Sequence, residues 1–394
     1  MAHYQYVIVG GGMTADAAVN GIREADPSGS VGLIGAEQDK PYNRPPLSKG
    51  LWKGEGPDSI WRDTEKQNVS LHLHRKAQSL DRGKRTVTDE RGSTYTFEKL
   101  LLATGATPRR LPFDDGPVIY YRTVGDYRKL RALSEQGRRF AVIGGGFIGW
   151  EIAAALAMNG KDVVMLFPEE AIGSRIYPAD LAHFLNDFYR QQGVSVVPGS
   201  TVTGLEKKSQ GTTVKTQGQG EYQVDGVVAG IGVTPNVELA QSAGLQVDNG
   251  VVVDEFLRTS DPDIYAAGDV ANFSNPALGK RLRVEHEDNA NTMGRAAGMA
   301  MAGRASPYDH LPFFYSDLFD LGYEAVGELD PRLETVADWK EPHREGVVYY
   351  LREGRVRGVL LWNVWGQVDA ARELIAGPGP FRAADLKGRL PKTQ

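Results

Sequence analysis

Short apolar runs that end at glycine-rich turns set the pattern of the first part of the chain. Tyr4–Val9 is apolar at most positions, Gly10–Gly12 follow, and an alternation of polar and apolar positions begins at Met13. A second apolar run covers Val31–Ile34. An apolar run, a glycine turn, an amphipathic stretch and another apolar run predict a βαβ unit with two parallel strands.

The same order returns farther along the chain. Phe140–Ile143 is apolar, and Gly144–Gly146 form a turn. A helix is predicted from Phe147, and the next strand over Val163–Phe167. Two βαβ units predict an α/β protein that binds ligands at the carboxyl ends of its strands.

The similarity between the two halves extends beyond these units. The stretches that start at Val69 and Val194 both begin Val-Ser, pass through β-like segments and end in an apolar strand before Gly-x-Thr-Pro. We interpret them as two copies of one nucleotide-binding domain. Chance similarity of two α/β segments is the alternative, and the shared order of features argues against it.

The end of the chain has a different pattern. A helix-like run covers residues 288–301, and a boundary is expected near Ser306–Pro307. Residues 346–364 alternate around Glu353–Gly354, which predicts an antiparallel hairpin. The last part of the chain is therefore predicted to be a smaller α+β domain.

Composition excludes several classes of protein. The net charge of −5 argues against a broad nucleic-acid surface. No apolar run approaches the roughly 18 residues of a membrane span. A strand directly follows Met1–His3, which makes a cytoplasmic location the expectation. The chain has no cysteine, so disulfides, thiolate metal sites and thiol redox steps are excluded. His72 and His74 have no third ligand in sight, and no metal site is predicted.

The first glycine turn, Gly10–Ala15, fits G-x-G-x-x-A between a strand and a helix. Gly10 suits the tight turn, Gly12 lets the backbone approach a pyrophosphate, and Ala15 lets the helix pack on the strand. The helix N-terminus favours the phosphate charge. Glu37, after the second strand, is positioned to accept hydrogen bonds from ribose hydroxyls. A dinucleotide site is predicted here.

The second turn, Gly144–Gly149, is a complete G-x-G-x-x-G after a strand. Glu169 stands about 20 residues after Gly149, the distance expected of a ribose ligand. A carboxylate there repels a 2′-phosphate and favours NADH over NADPH. Pro168 occupies the end of the strand, and no arginine stands beside it in the sequence. A solvated Glu at the start of a loop is the alternative.

Two dinucleotide sites imply two nucleotides. The simplest pairing is a tightly held flavin and an exchangeable nicotinamide that passes it a hydride. Ile264–Val270 supports this pairing, because an apolar strand ends there in Gly268-Asp269. Asp269 is suited to accept a hydrogen bond from a ribityl hydroxyl. A Gly-Asp turn is also common without any ligand.

Several segments, in this order, carry a resemblance to a known family: Gly10–Ala15, residues 100–108 (LLLATGATP), Gly144–Gly149, residues 226–236 (GVVAGIGVTPN) and residues 264–270 (IYAAGDV). The chain resembles the two-dinucleotide flavoproteins of the glutathione reductase type. Residues 44–49 (RPPLSK), 281–290 and 349–363 are similar to the branch of ferredoxin reductases and apoptosis-inducing factors.

The resemblance implies a fold class and a domain order. The fold is expected to be α/β, with two Rossmann-like FAD- and NAD(P)-binding domains of glutathione reductase type and a C-terminal α+β domain. The FAD-binding domain is expected to be discontinuous, over residues 1–112 and 238–306. The NADH-binding domain is expected over 113–237 and the C-terminal interface domain over 307–394. FAD and NADH are the implied cofactors.

The resemblance also implies roles at the flavin's reactive edge. Lys49 is similar to a lysine that stabilises the reduced, anionic flavin, and Glu151 to its ion-pair partner facing the nicotinamide. Phe147 is similar to an aromatic that lies over the flavin until nicotinamide displaces it. Glu285 and His286 are similar to a pair at the start of a helix directed at the flavin pyrimidine. Without the resemblance, these are a surface Lys, a helix-start Glu, a core Phe and a helix-end His.

The implied catalytic residues are Lys49, Glu151, Phe147 and His286. The implied FAD-binding residues are Gly10, Gly12, Ala15, Glu37, Arg44, Lys49, Ala103, Thr104, Gly105, Gly268, Asp269, Glu285, His286 and Tyr315. The implied NAD-binding residues are Gly144, Gly146, Phe147, Ile148, Gly149, Glu151, Glu169 and Gly232. Tyr315 stands where the family usually has a Trp before Ser-Asp, which leaves the electron path at this edge open.

These features predict an FAD-dependent NADH oxidoreductase that passes electrons to an external acceptor such as a ferredoxin or rubredoxin. One alternative is an NADH-gated binding protein with a long-lived flavin–NAD charge-transfer complex, and another is an NADH oxidase or quinone reductase. Arg109–Arg110 and Lys280–Arg283 are either docking sites for an acidic ferredoxin or solvated charges. No nucleic-acid or membrane partner is predicted. The chain is expected to be a monomer or an NADH-dependent homodimer.

Overall fold

The computed structural model describes residues 1–113, 118–209, 211–218 and 220–391. These residues form two compact units. The first unit comprises Met1–Asn43, Asp58–Thr107 and Thr234–Pro312, and the second comprises Arg44–Pro57, Pro108–Val233 and Phe313–Gln394. The three-domain division expected from the sequence stays a prediction, and its ranges 113–237 and 307–394 include a few residues outside the described part.

The strands are β1 (Ala2–Val9), β2 (Val31–Ile34), β3 (Val69–His72), β4 (Ala77–Asp81), β5 (Thr86–Asp89), β6 (Thr94–Leu102), β7 (Ala106–Pro108), β8 (Val118–Tyr120), β9 (Arg139–Ile143), β10 (Asp162–Leu166), β11 (Val194–Val197), β12 (Val202–Lys207), β13 (Thr212–Thr216), β14 (Gly220–Val224), β15 (Gly226–Ala229), β16 (Val233–Pro235), β17 (Val251–Val252), β18 (Ile264–Ala266), β19 (Ala271–Asn275), β20 (Lys280–Leu282), β21 (Phe313–Leu318), β22 (Leu321–Gly327), β23 (Glu334–Glu341), β24 (Glu345–Arg352) and β25 (Arg355–Trp362). The helices are α1 (Met13–Ala25), α2 (Val124–Gln136), α3 (Phe147–Met158), α4 (Ala179–Gln191), α5 (Glu238–Ser242), α6 (Glu287–Met301), α7 (Val368–Ala376) and α8 (Ala383–Leu386).

The first unit is built on a seven-stranded sheet in the order β3-β2-β1-β6-β5-β4, with β18 also paired to β6. β3, β2, β1, β6 and β18 run parallel, and β4 and β5 are antiparallel. β2 is buried at every position, as expected of a parallel strand covered on both faces. Helices α1 and α6 share one apolar core with this sheet, through side chains such as Ile22 and Met293.

The second unit contains a fully parallel sheet in the order β11-β10-β9-β15-β8. An antiparallel β12-β13-β14 sheet contributes Val202, Val214 and Val224 to the same core. The C-terminal part of the unit forms an antiparallel sheet in the order β21-β22-β25-β24-β23. This arrangement is more β-rich than the predicted α+β domain suggested.

The predicted elements are present with small shifts in their ends. β1 begins two residues before Tyr4, and β10 covers Asp162–Leu166 instead of Val163–Phe167. The predicted hairpin is β24–β25, and its turn residues Glu353 and Gly354 both have positive φ, at 52° and 72°. His72 is the last residue of β3, and His74 lies beyond its end with a φ of 53°, so the two histidines do not lie on one strand. Within the described ranges, no helix is both long and apolar enough to cross a bilayer.

Candidate active site

Three turns meet at one edge of the first unit's sheet. Val9 pairs with Leu102 in the β1–β6 ladder, and Leu102 pairs with Ala266 in the β6–β18 ladder. Because these strands are parallel, the turns that follow them leave the sheet at the same edge. The turns are Gly10–Gly12, Ala103–Gly105 and Gly268–Asp269, which are segments of the predicted FAD site.

The glycine turn after β1 leaves no space for a side chain at its first position. Gly10 has a φ of 133°, and a Cβ there would lie 2.0 Å from the carbonyl oxygen of Ala103. Gly12 is the N-cap of α1 and offers no side chain to cap the helix, while Ala15 is fully buried against the sheet. Backbone N–H groups at an uncapped helix start suit a pyrophosphate. The turn therefore fits the dinucleotide predicted for it.

The acid predicted to bind ribose is held in a defined orientation. The hydroxyl of Tyr42 donates to Oε2 of Glu37 at 2.5 Å. The backbone of Glu37 is fixed as well, because its carbonyl accepts the N–H of His74. A carboxylate has about four acceptor positions, so Glu37 can accept from Tyr42 and is still chemically suited to accept from ribose hydroxyls.

Asn236 clamps the turn after β6, a contact that the sequence did not reveal. Its side-chain amide donates to the carbonyl of Thr104 at 2.7 Å, and its backbone carbonyl accepts from Thr104 Oγ1 at 2.7 Å. Its N–H bonds the carbonyl of Gly105. Asn236 directly follows the second Gly-x-Thr-Pro, which is the only sequence signal of this role.

His286 lies immediately before α6 and is partly buried. Desolvation lowers the pKa of His286 to about 4, and the carboxylates of Asp269 and Asp288 oppose that shift in part. The imidazole is therefore neutral at neutral pH. Arg283 forms hydrogen bonds with two residues near His286. It donates to the carbonyl of Asp269 at 3.1 Å and to Glu285 Oε1 at 2.7 Å. Arg283 is mostly buried, which makes it unsuitable as the docking residue considered from the sequence.

The second glycine turn lies at the carboxyl edge of the second unit's parallel sheet. Ile143 of β9 pairs with Leu166 and with Ala229, so the predicted residues Glu169 and Gly232 follow strands that end beside the turn. A Cβ on Gly149 would lie 2.0 Å from the carbonyl oxygen of Gly144, which requires glycine for the close approach of helix and turn. A Cβ on Gly146 would meet no atom of the described residues within 4 Å. This turn has room for the phosphates of a nucleotide.

Glu151 is the centre of a buried polar network in the second unit. Its carboxylate accepts from Lys49 Nζ at 2.7 Å, from Ser48 Oγ at 2.6 Å and from Ser316 Oγ at 2.5 Å. Trp150 Nε1 in turn donates to Ser316 Oγ at 2.9 Å. The Glu151 side chain is only 4% exposed and that of Lys49 13%. A buried charge pair with these additional donors holds one geometry, as a reacting site requires.

The segment before Lys49 is stiff and anchored. Pro45–Ser48 forms a 3-10 turn, and the carbonyl of Leu47 accepts from Tyr121 Oη at 2.5 Å and from Trp52 Nε1 at 2.9 Å. Arg44 donates to the carbonyl of Arg122, also within the second unit. The prolines limit backbone torsions, and these hydrogen bonds fix the position of Lys49.

Aromatic rings surround this lysine and the start of α3. Lys49 Nζ lies 5.2 Å from the ring centre of Tyr315, within the range of a cation–π contact. Phe147 contacts the rings of Trp150 and Phe314 and is still 38% exposed. An exposed aromatic at the first position of the nucleotide helix is available to stack on a planar ring.

Glu169 is paired with an arginine that the sequence did not place beside it. Arg175 Nη2 lies 2.5 Å from Glu169 Oε1. No arginine adjoins the acid in the sequence, but the chain returns to the strand end six positions later and brings Arg175 beside Glu169.

The predicted FAD residues are divided between the units. The first unit contains Gly10, Gly12, Ala15, Glu37, Ala103, Thr104, Gly105, Gly268, Asp269, Glu285 and His286, and the second contains Arg44, Lys49 and Tyr315. The second unit contains every predicted NAD residue, including Ile148 on α3. Sequence reasoning missed Ser48 and Ser316, although Ser48 adjoins Lys49 and Ser316 adjoins Tyr315.

Two family models match the chain. The model described as pyridine nucleotide-disulphide oxidoreductase matches residues 4–294. The model described as the C-terminal part of mitochondrion-associated apoptosis-inducing factor matches residues 297–345 and 338–377. Together they account for nearly the whole sequence.

Curated relatives and solved structures agree with these matches. The ferredoxin–NAD(+) reductase component of the anthranilate 1,2-dioxygenase system of Burkholderia cepacia is 35% identical over 96% of this chain and 97% of its own length. Mitochondrial apoptosis-inducing factor 1 of Dictyostelium discoideum is 33% identical over 94% of this chain and 78% of its own. The reductase in the covalent putidaredoxin reductase–putidaredoxin complex superposes with a TM-score of 0.89, at 31% identity over 95% of this chain and 94% of that chain.

Proposed function

Because this chain belongs to the pyridine nucleotide-disulphide oxidoreductase family, we propose that it passes electrons from NADH to an external ferredoxin-type protein. Membership confirms the predicted fold class and the prediction of an FAD-dependent NADH oxidoreductase. The acceptor and the roles of individual residues are the proposed part.

The observation that carries the proposal is the absence of cysteine from all 394 residues. A disulphide-reducing relative needs thiols beside the flavin, and this chain has none to offer. Electrons that enter from NADH must therefore leave to a separate acceptor. Relatives named as ferredoxin reductase components, and a structural relative crystallised with putidaredoxin, support a small iron–sulfur protein in that role.

The chain's own residues would bind and orient the reactants. Gly10–Ala15 and Glu37 would hold FAD, whereas Gly144–Gly149 and Glu169 would bind NADH. FAD, when bound, accepts a hydride and releases electrons one at a time. Lys49, fixed by Glu151, would supply positive charge where negative charge develops.

Two residues would control access and protonation in this scheme. Phe147, exposed at the start of α3, would stack on a ring and yield its place to nicotinamide. His286, kept neutral by desolvation, would offer a hydrogen bond without adding charge. A cytoplasmic location completes the proposal, since NADH is supplied there.

An acceptor panel tests the proposal. The purified FAD-containing protein is mixed with NADH, and reoxidation is followed with a [2Fe–2S] ferredoxin, a rubredoxin, cytochrome c, a quinone and dioxygen in turn. We expect the ferredoxin to restore visible flavin absorbance faster than any other acceptor. Preference for dioxygen or quinone would contradict the proposal and favour an oxidase or quinone reductase.

A second candidate function is supported by the C-terminal family match to apoptosis-inducing factor. In this alternative, NADH forms a long-lived complex with the flavoprotein and changes its contacts with a partner or a second copy. Long-wavelength absorbance that persists for minutes in air and is indifferent to every acceptor would favour it. Gel filtration with and without NADH would show whether a dimer forms.

A further inference from the structure

A buried aspartate directly follows the glycine turn of the first unit. Asp16 comes immediately after Ala15, in the first turn of α1. A carboxylate in the first turn of a helix is favourable for the helix dipole. The start of α1 is also the place expected to hold a pyrophosphate, and a negative side chain in the same turn repels that phosphate. The charge of Asp16 therefore has to be cancelled if the turn is to retain FAD.

Arg62 supplies the opposite charge. Its Nη1 donates to Asp16 Oδ2 at 2.8 Å, and the two side chains are only 15% and 7% exposed. Thr64 Oγ1 donates to the other carboxylate oxygen, Oδ1, at 2.5 Å. Solvent screens a buried pair of this kind very little. Loss of the arginine alone would therefore leave an uncompensated negative charge in the first turn of the helix.

The same guanidinium joins the segments that carry predicted FAD residues. Its Nε donates to Asn43 Oδ1 at 2.8 Å, and its Nη2 donates to Asn291 Oδ1 at 2.7 Å. Asn43 lies six residues after Glu37, and Asn291 lies on α6, which begins directly after His286. With Asp16 on α1, each of the three guanidinium nitrogens bonds a different segment of the first unit.

The backbone that carries Arg62 is itself fixed. Two backbone hydrogen bonds, of 2.8 and 3.0 Å, pair residues 60–62 with residues 41–43. The ring of Trp61 packs edge to face on Tyr42, the residue that donates to Glu37. The guanidinium is therefore held at one position relative to the start of α1.

We propose that Arg62 is a positioning residue for the retention of FAD, because it cancels the charge of Asp16 and so lets the first turn of α1 hold the pyrophosphate. The inference rests on the FAD site of the proposed function. A different role for Arg62 would be that of an anchor between α1 and α6, independent of charge. The two roles predict different results when the acid and the arginine are removed together.

The rate of FAD release tests the inference without an electron acceptor. The purified FAD-containing protein is diluted, and the fluorescence of free flavin is followed. We expect Arg62→Gln to raise the release rate at least about tenfold, because the buried acid is left unpaired. Arg62→Lys keeps the charge, and its release rate should stay within about threefold of that of the unmodified protein.

The double variant Asp16→Asn/Arg62→Gln decides between the two roles. We expect its release rate to return to within about threefold of the unmodified rate, because no charge remains to be cancelled. Loss of all FAD from Arg62→Gln during purification, with FAD retained by the double variant, would support the inference equally. A double variant that releases FAD as fast as Arg62→Gln would overturn the inference, and so would an unchanged rate in Arg62→Gln.

Arg23→Gln is the matched control. Arg23 lies in the last turn of α1 and donates to the backbone carbonyls of Gln67 and Gly29, at 2.9 and 2.8 Å. It anchors the same helix at the end remote from the glycine turn, so we expect FAD release to change less than about twofold. An increase as large as that of Arg62→Gln would show that any loosening of α1 releases FAD, which would contradict the inference. Unmodified protein that holds FAD but is not reduced by NADH would instead reject the proposed function, and the release rates would still test Arg62.

Discussion

The two glycine turns have similar sequence patterns, G-x-G-x-x-A and G-x-G-x-x-G, and the helices that follow them differ in the exposure of their first residue. Met13, the first residue of α1, is 6% exposed, whereas Phe147, the first residue of α3, is 38% exposed. The acid after the first turn accepts a hydrogen bond from Tyr42, and the acid after the second pairs with Arg175, whose side chain is 82% exposed. We therefore expect the first site to retain its ligand and the second to exchange one.

This contrast explains how one fold, used twice, serves two cofactors. A buried, pre-oriented site loses little entropy on binding and releases its ligand slowly. An exposed site leaves its ligand in contact with solvent and supports rapid exchange. A prosthetic FAD fits the first description and a cosubstrate NADH the second.

The strongest test of the contrast substitutes one close-packed glycine in each turn, the first glycine of the first turn and the last glycine of the second. In Gly10→Ala and Gly149→Ala, the new Cβ would lie 2.0 Å from a carbonyl oxygen, that of Ala103 or Gly144. We expect Gly10→Ala to lose FAD during purification. We expect Gly149→Ala to retain FAD and to be reduced by NADH about 100-fold more slowly, because the nucleotide helix is displaced.

The measurements are the FAD-to-protein ratio and the rate of NADH reduction under anaerobic conditions. Circular dichroism identifies any variant that has simply failed to fold. FAD loss from Gly149→Ala but not from Gly10→Ala would invert the assignment of the two sites.

The lysine at the centre of the second unit is expected to give the next largest effect. Lys49→Ala removes the cation that Glu151 holds, and the rate of flavin reduction should fall about 100-fold with FAD content unchanged. Lys53→Ala is the control, since Lys53 pairs with Asp317 at 2.7 Å but is 39% exposed. We expect less than about a twofold change there. An unchanged rate in Lys49→Ala would remove the lysine from the reaction.

Ser316 is expected to act through Glu151 and to have a smaller effect. Ser316→Ala removes one of three donors to the carboxylate, and we expect NADH reduction to slow about tenfold. The KM for NADH should change little, because Ser316 positions Glu151 and is not assigned a contact with the nucleotide. Ser316→Thr keeps the hydroxyl and should restore part of the rate. Equal losses in both variants would indicate a packing defect instead.

The smallest expected effect is a change in the free energy of unfolding with pH, and it comes from His286 in the first unit. The pKa of His286 is lowered from its ordinary value of 6.5 to about 4 in the folded protein. As the pH falls below 6.5, the unfolded chain therefore binds a proton at this residue before the folded protein does. Stability is therefore fully present above pH 6.5 and is lost as the pH falls toward 4. Between pH 6.0 and 5.0, we expect a loss of about 1 kcal/mol in unfolding free energy from this group.

Urea denaturation at the two pH values, compared with His286→Gln, isolates this contribution from that of the carboxylates. The variant should lose less stability than the original protein over the same pH interval. Parallel losses in the two proteins would show that His286 titrates normally.

The repeating framework could be predicted because local patterns determine it. Apolar runs and glycine turns gave both βαβ units, and Glu353–Gly354 gave the β24–β25 hairpin, with ends shifted by one or two residues. β21, β22 and β23 were not predicted, because their alternation is interrupted by aromatic and charged residues. Their pairing also depends on partners distant in sequence.

The glycines and acids of the site could be predicted from the sequence. The residues that hydrogen-bond to them and fix their positions were much harder to predict. Ser316 reaches Glu151 from a strand 165 positions away. Asn236 reaches Thr104 across 132 positions. Arg175 is an exposed arginine in a loop, a residue that sequence alone cannot distinguish from a solvated charge. Contacts of this kind come from tertiary packing, which no single-sequence pattern encodes.

A single-turnover experiment tests the central claim most directly. The FAD-containing protein is reduced anaerobically with one equivalent of NADH and is then mixed with oxidised [2Fe–2S] ferredoxin. We expect visible flavin absorbance to return as the ferredoxin is reduced, with two ferredoxins reduced for each NADH consumed. Flavin absorbance that stays low, with the ferredoxin still oxidised, would contradict it.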